Sequence, residues 1–221
     1  ADSDGTIRAA EGYRQNHYVA LLRRDADSDW EEHLEHAIYE QVGATFMGFS
    51  SDPNIVYVSA PLEAREAVYE YDLTTRSTTR LVYAHPRVDV SGLAYGPDDH
   101  LIGVNYIDDK PGTHFLDPKA AKEHTRRLRS ATRKLGRPVQ LDEVSATADG
   151  NVKIYRASAS NQPPVYFADD ARQKAMSLLL SERADIHTAD LAETKPNEYE
   201  APDGMTIPGY LTLPPGIPAE G

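Results

Sequence analysis

Four aspartates stand in turn-like surroundings at near-constant intervals, and they are the first residues of this 221-residue chain whose recurrence could mean chemistry. They are Asp4 in ADSDGTIRAA, Asp52 in FSSDPNIVYVSA, Asp98 in YGPDDHLIGVNY and Asp149 in SATADGNVKIYR, spaced 48, 46 and 51 residues apart. A carboxylate in such a place can accept a hydrogen bond from the backbone two residues on and hold a hairpin in shape. Turn chemistry accounts for all four, so none is read as a catalytic acid.

Two further groups invite a chemical reading. In Trp30 to Gln41, WEEHLEHAIYEQ, a helix would set His33, His36 and Glu40 on one face, where they could ligate zinc. The stretch lacks the HExxH pattern, and strand pairing would scatter these side chains, so the reading is a solvated or inter-blade histidine pair. The second group is Lys119, Lys122, Arg126, Arg127, Arg129, Arg133 and Lys134, the basic face of a helical pattern. No aromatic residue interleaves with these charges, as a stacking nucleic-acid surface needs. The chain carries 35 acids against 23 bases, net −12, which repels phosphate and anionic membranes. The face is therefore expected to be solvated or docked on an acidic neighbour, with no nucleic acid and no membrane as partner.

A nucleophile is not apparent. The chain has no cysteine, so thiolate catalysis, thiolate metal sites and disulfides are excluded together. Ser91-Gly92 and Phe49-Ser50-Ser51 do not fit the G-x-S-x-G elbow, and no H-G-G occurs. The sequence thus assigns no catalytic, cofactor-binding or metal-binding residue, and no cofactor.

The elements around the aspartates form a repeat. Gly43 to His85 holds four short runs rich in Val, Tyr, Phe and Leu, separated by clusters with Asp-Pro-Asn, Pro-Leu-Glu and Thr-Thr-Arg-Ser. In Val68 to Leu73, Val68, Glu70 and Asp72 alternate with Tyr69, Tyr71 and Leu73, which is the period of a half-buried strand. A four-stranded meander cannot cover both of its faces alone and has to stack on copies of itself. With repeats of about 40 to 50 residues the expected fold is all-β: a partial β-propeller of about four four-stranded antiparallel blades with one inserted α-helix.

The blades are placed at 1–41, 42–85, 86–137 and 138–182. The first is incomplete, with strands at Thr6 to Ala10, Tyr18 to Arg23 and Trp30 to Leu34; Trp30, the sole tryptophan, is expected between blades. In the third, three strands give way to a helix capped by Asp117, opened by Pro118, basic at Arg133 and Lys134 and ended by Gly136. Its apolar stripe is Ala121, Leu128, Ala131 and Leu135. A connector is expected over 183–196, with a short helical turn at Thr188 to Ala192. A hairpin and linker follow over 197–221, turning at Asp203-Gly204. Ala1 to Gly5 starts inside a turn, and PPGIPAEG reads as a linker, so a piece of a larger protein is expected. No apolar run approaches the roughly 20 residues of a membrane helix. Cytoplasm and periplasm both stay open.

The final hairpin, Asp203-Gly204-Met205-Thr206-Ile207-Pro208-Gly209-Tyr210-Leu211-Thr212-Leu213-Pro214, resembles the D-G-x-x-I-x-G-Y-L-x-L-P strand pair that opens the α/β-hydrolase domain of prolyl oligopeptidase family serine peptidases. GFSSDPNIVYVSA, VYEYDL, HPRVDVSGLAYGPDD and DKPGTHFLDP followed by a helix are similar to the acylaminoacyl-peptidase-like branch. The resemblance implies the later part of a propeller that caps a hydrolase domain and limits entry to short or unstructured peptides. It implies as partners the remaining blades, the hydrolase domain and, through that domain, a peptide substrate. No propeller motif that holds a peptide amine matches. Exposed blade edges would favour self-association. The alternatives are a stand-alone propeller that scaffolds protein partners, or a lectin on the same fold.

Overall fold

The computed structural model describes residues 1–2, 4–39, 43–96, 100–147, 149–173 and 175–217. Strands dominate, and each sheet is an antiparallel meander in chain order. The chain divides into two compact units, Ala1–Ala121 and Lys122–Gly221.

The first unit holds three sheets: β1 (Ala9–Arg14), β2 (His17–Leu22) and β3 (Glu31–Ala37); β4 (Thr45–Phe49), β5 (Ile55–Leu62), β6 (Arg65–Asp72) and β7 (Ser77–Tyr83); and β8 (Val90–Tyr95), β9 (Leu101–Ile107) and β10 (Pro111–Phe115). The first and third sheets therefore have three strands and the second has four. β1 lies further on than the sequence suggested, because Gln15 and Asn16 both adopt positive φ, at 48° and 66°, and close a two-residue turn between Arg14 and His17. That backbone matches strand twist and extends pairing back to Ala9, although β1 is an exposed edge without alternation.

Sheets pack on one another through two clusters. Tyr18, Ala20, Leu22 and Leu34 of the first sheet meet Phe49, Val56, Val58 and Tyr71 of the second, while Tyr57 and Val68 meet Val90, Leu101 and Val104 of the third. Val56, Val58, Val68 and Val104 are wholly buried, each contributing about 1.5–3 kcal/mol relative to exposure. Trp30 is not part of this packing. It is 40% exposed and lies under the Arg23 guanidinium of its own sheet, 4.6 Å from the ring centroid, because it precedes β3 in the connecting loop.

The helix α1 (Pro118–Leu135) begins and ends where its sequence says. Asp117 Oδ1 accepts the Lys119 N–H at 2.8 Å, and Gly136 leaves the helix at φ 70°.

In the second unit, β11 (Gln140–Ala146), β12 (Val152–Ala159), β13 (Gln162–Asp170) and β14 (Ala175–Ser181) form one sheet. Ala131, Leu128 and Leu135 of α1 pack on its Leu141, Tyr155, Ala157, Val165, Phe167 and Met176. A 3-10 turn at Thr188–Asp190 precedes the hairpin of β15 (Thr194–Glu200) and β16 (Thr206–Thr212), so strand structure begins a few residues before position 197. Asp203 and Gly204 turn the hairpin as expected, Asp203 accepting the Met205 N–H at 3.0 Å.

The turn aspartates do what their surroundings suggested. Asp4, Asp52 and Asp149 each accept the N–H two residues on, from Thr6, Asn54 and Asn151, at 2.9, 2.9 and 3.0 Å. Asp98 lies outside the described residues. His33 and His36 sit on strand β3, so the helical metal face does not form; Glu40 lies outside the described residues. His33 meets Tyr71 edge-on at 6.0 Å, and His36 Nε2 lies 3.2 Å from the Thr45 hydroxyl, so each histidine touches the next sheet.

Candidate functional site

The opening strands of the three sheets in the first unit converge on a recess of about 400 Å³. β1 supplies Ala9 and Glu11, β4 supplies Phe46, Met47, Gly48 and Phe49, β8 supplies Tyr95, and Ala1 and Asp2 close one side.

Each wall is held by a tyrosine or an arginine that crosses between sheets. Tyr18, buried on β2, donates its hydroxyl to Glu11 Oε2 at 2.7 Å and accepts the Phe46 N–H at 3.0 Å. Burial, reinforced by the Glu11 carboxylate, pushes this phenol well above its ordinary range, so it stays a donor. Tyr95 donates to the Phe49 carbonyl at 2.8 Å. That contact needs a glycine opposite, since a Cβ on Gly48 would run into the Tyr95 hydroxyl.

Behind Phe49 lies Arg8, only 5% exposed. Its guanidinium stacks over the Phe49 ring at 4.8 Å and donates to the Arg23 carbonyl at 3.3 Å, to the Pro53 carbonyl at 2.6 Å and to Asp2 Oδ2 at 3.4 Å. Arg8 thus neutralises Asp2 and ties the first sheet to the turn that opens β5. The free charge facing the recess is then chiefly that of Glu11, above an apolar floor of Phe46, Met47 and Phe49. Such a surface suits an apolar or cationic group. Among the described residues its lining holds no serine, histidine or lysine.

A smaller recess of about 230 Å³ is lined by Leu62, Glu63, Arg65, Glu66, Ala67, Ala84, His85 and Pro86. Burial, and then the nearby Asp89, pushes the Glu66 carboxyl up. The His85 ring stacks on Tyr106 at 4.3 Å, and its Nδ1 accepts the Arg87 and Val88 N–H groups at 3.2 Å each. With Nδ1 so engaged, His85 serves as a loop cap.

The sequence reading named no site residue, and Arg8, Tyr18, Phe49 and Tyr95 escaped it. A signal was present: Phe49 and Tyr95 each stand three residues before a turn aspartate, Asp52 and Asp98, at the end of an opening strand. Of the basic residues singled out, Arg126 and Arg127 converge on Asp169 at 3.2 and 2.7 Å, while Lys119, Lys122, Arg129, Arg133 and Lys134 hold no carboxylate among the described residues.

No family model matches the chain. Dipeptidyl aminopeptidase BIII of Pseudoxanthomonas mexicana is 26% identical over 218 residues, an alignment that takes in 97% of this chain and 30% of that protein. Prolyl oligopeptidase B from Galerina marginata has the same fold over 98% of this chain and 31% of its own, with a TM-score of 0.57 at 12% identity. A puromycin-hydrolyzing peptidase of Mycobacterium tuberculosis matches 91% of this chain and 31% of its own, with a TM-score of 0.54 at 12% identity. The chain thus spans about a third of the length of these relatives. Its antiparallel sheets have the fold of propeller blades, as in these prolyl oligopeptidases, and its sequence is similar to that of the dipeptidyl aminopeptidase.

Proposed function

We propose that this chain is the substrate-admitting propeller part of a serine peptidase, with the bond-breaking residues supplied from outside its 221 residues. The observation that carries the reading is the recess where β1, β4 and β8 converge. In a propeller the blades surround a central channel bordered by the first strand of each blade. β4 and β8 open their sheets, while β1, which follows the Asp4 turn as β5 follows that at Asp52, holds a second-strand position beside them. A mouth of about 400 Å³ floored by Phe46, Met47 and Phe49 admits a few residues of extended peptide and excludes a folded domain. The likeness to a dipeptidyl aminopeptidase over 97% of the chain supports a peptide as the guest. Blades at 1–41, 42–85, 86–137 and 138–182, a connector over 183–196 and a hydrolase hairpin from 197 complete the reading. The scaffold alternative gains no observation of its own.

The test uses the chain itself. Peptides of three to ten residues carrying a photoreactive group are expected to crosslink at Phe46, Met47 or Tyr95, whereas a folded protein bearing the same group is not. A fluorophosphonate probe is expected to leave the chain unlabelled, and fluorogenic dipeptidyl and acylaminoacyl substrates are expected to stay intact. Labelling, turnover or crosslinking confined to other surfaces would overturn the reading.

A further inference from the structure

The exposed face of α1 is a row of cations in a chain whose exposed arginines elsewhere are paired, although Lys110 and Lys195 are not among the described residues' ion pairs. Outside the helix, the exposed arginines Arg14, Arg24, Arg76, Arg80, Arg87, Arg172 and Arg183 each hold a carboxylate. On the helix, Lys119, Lys122, Arg129, Arg133 and Lys134 are exposed and unpaired among the described residues. The helix carries seven cations and one acid, a net +6; with −12 for the whole chain, the rest amounts to −18.

Geometry turns these charges into a surface. Lys119, Lys122, Arg126, Arg129 and Arg133 follow one another at intervals of three and four, which keeps them on one side of a helix. The row is about 21 Å long at 1.5 Å per residue. Leu128, Ala131 and Leu135 hold the opposite side on the β11–β14 sheet. The seat is fixed by Asp169, 4% exposed, whose Oδ2 accepts from both Arg127 Nε and Arg126 Nη2. A mobile solvated helix has no need of a buried carboxylate anchor; one that presents a row of charge in a set orientation does.

We propose that this row is a docking surface for an acidic polypeptide segment. A long polyphosphate is disfavoured by the net −18 of the remaining chain, and the row offers no aromatic side chain for base stacking. A short Asp/Glu-rich segment fits within 21 Å, and the forked guanidiniums of Arg129 and Arg133 suit carboxylates. The surface is separate from the recess and stands whether or not peptides enter there.

The test is fluorescence anisotropy of the 221-residue chain with a labelled 15-residue peptide rich in Glu and Asp. Binding at low salt is expected, weakening at least about tenfold between 50 and 300 mM salt as screening grows. The K122E/R129E/R133E variant is expected to lose at least about tenfold, and K122A/R129A/R133A, which introduces no new charge, an intermediate amount. K110E/K195E, reversing two exposed lysines elsewhere, is expected to bind as the unaltered chain does. Absent binding at 50 mM salt, equal loss in the K110E/K195E control, or tighter binding of a single-stranded RNA or of anionic vesicles at matched charge would overturn the proposal. Circular dichroism on each variant confirms that the helix is intact.

Discussion

The two units bury their sheets in opposite ways. In the first, sheet lies on sheet, and three neutral tyrosine bonds cross the junctions, Tyr18 to the Phe46 N–H, Tyr71 to the His33 carbonyl and Tyr95 to the Phe49 carbonyl; Arg8 donates to the Pro53 carbonyl beside them, and the Arg76–Glu31 ion pair lies exposed. In the second, a helix lies on the β11–β14 sheet, and the polar contact is ionic, Arg126 and Arg127 on a buried Asp169. A tyrosine brings a large apolar body and one hydroxyl that needs a single partner, so it can tie neighbouring blades at small desolvation cost. A buried carboxylate needs a cation, and losing one partner strands the other. The helix-covered sheet should therefore be the more brittle of the two.

The largest expected effect follows from that difference. Asp169→Ala leaves Arg127, whose side chain is 13% exposed, with Glu123 as its remaining carboxylate partner, and should cost about 3 kcal/mol in urea unfolding. If the variant loses less than about 1 kcal/mol, the anchor is not a stability element. Next come the neutral ties. Tyr95→Phe and Tyr71→Phe should each cost about 1–3 kcal/mol by leaving a carbonyl of Phe49 or His33 unpaired. A loss in either that equals that of Asp169→Ala would erase the contrast between the units.

Sequence made the local devices legible and the distant ones not. Asp117, Pro118 and Gly136 define α1 from end to end because capping needs only neighbours. The turn at Asp203 and Gly204 is equally local. Asp169 is the instructive miss. In the chain it heads a polar run from Asp169 to Arg172 that reads as a turn, yet Asp170 makes the turn bond to the Arg172 N–H at 2.9 Å while Asp169 points under the helix. Two adjacent aspartates take opposite roles because strand alternation sends their side chains to opposite faces. Which face the helix covers is settled by residues more than 40 positions away. The recess is hidden for the same reason, since Asp2, Phe49 and Tyr95 meet only when separate sheets pack.

A smaller effect separates the exposed turns from both interiors. Hydrogen bonds from Thr147 and Asn151 hold the Asp149 carboxyl far below its usual range, and those from Thr6 and Asp2 bring Asp4 down to about 2. A carboxyl with a depressed folded value adds stability above its unfolded value of about 3.9, and that stability disappears as pH falls through the folded value. Asp149→Ala should therefore be less stable than the unaltered chain at pH 7, with the gap narrowing from about pH 4 downward and closing only below about pH 2. A gap of the same size at pH 7 and pH 2 would assign the effect to backbone conformation instead of charge.

The smallest effect has the reverse sign. Glu66, at the edge of the smaller recess, is pushed up by burial and by Asp89, so its ionised form is disfavoured in the folded chain. Its contribution is fully favourable below the unfolded value of about 4.3 and is lost as pH rises through the folded one. Glu66→Gln removes the charge but keeps the shape, and should stabilise the chain at pH 7 by under about 0.5 kcal/mol, with no gain at pH 4. Thermal unfolding at both pH values checks this. A variant less stable than the unaltered chain at pH 7 would mean that the carboxylate is worth more to its neighbours than its own desolvation costs, and would add a partly buried ionic tie to the tyrosine bonds that hold the first unit.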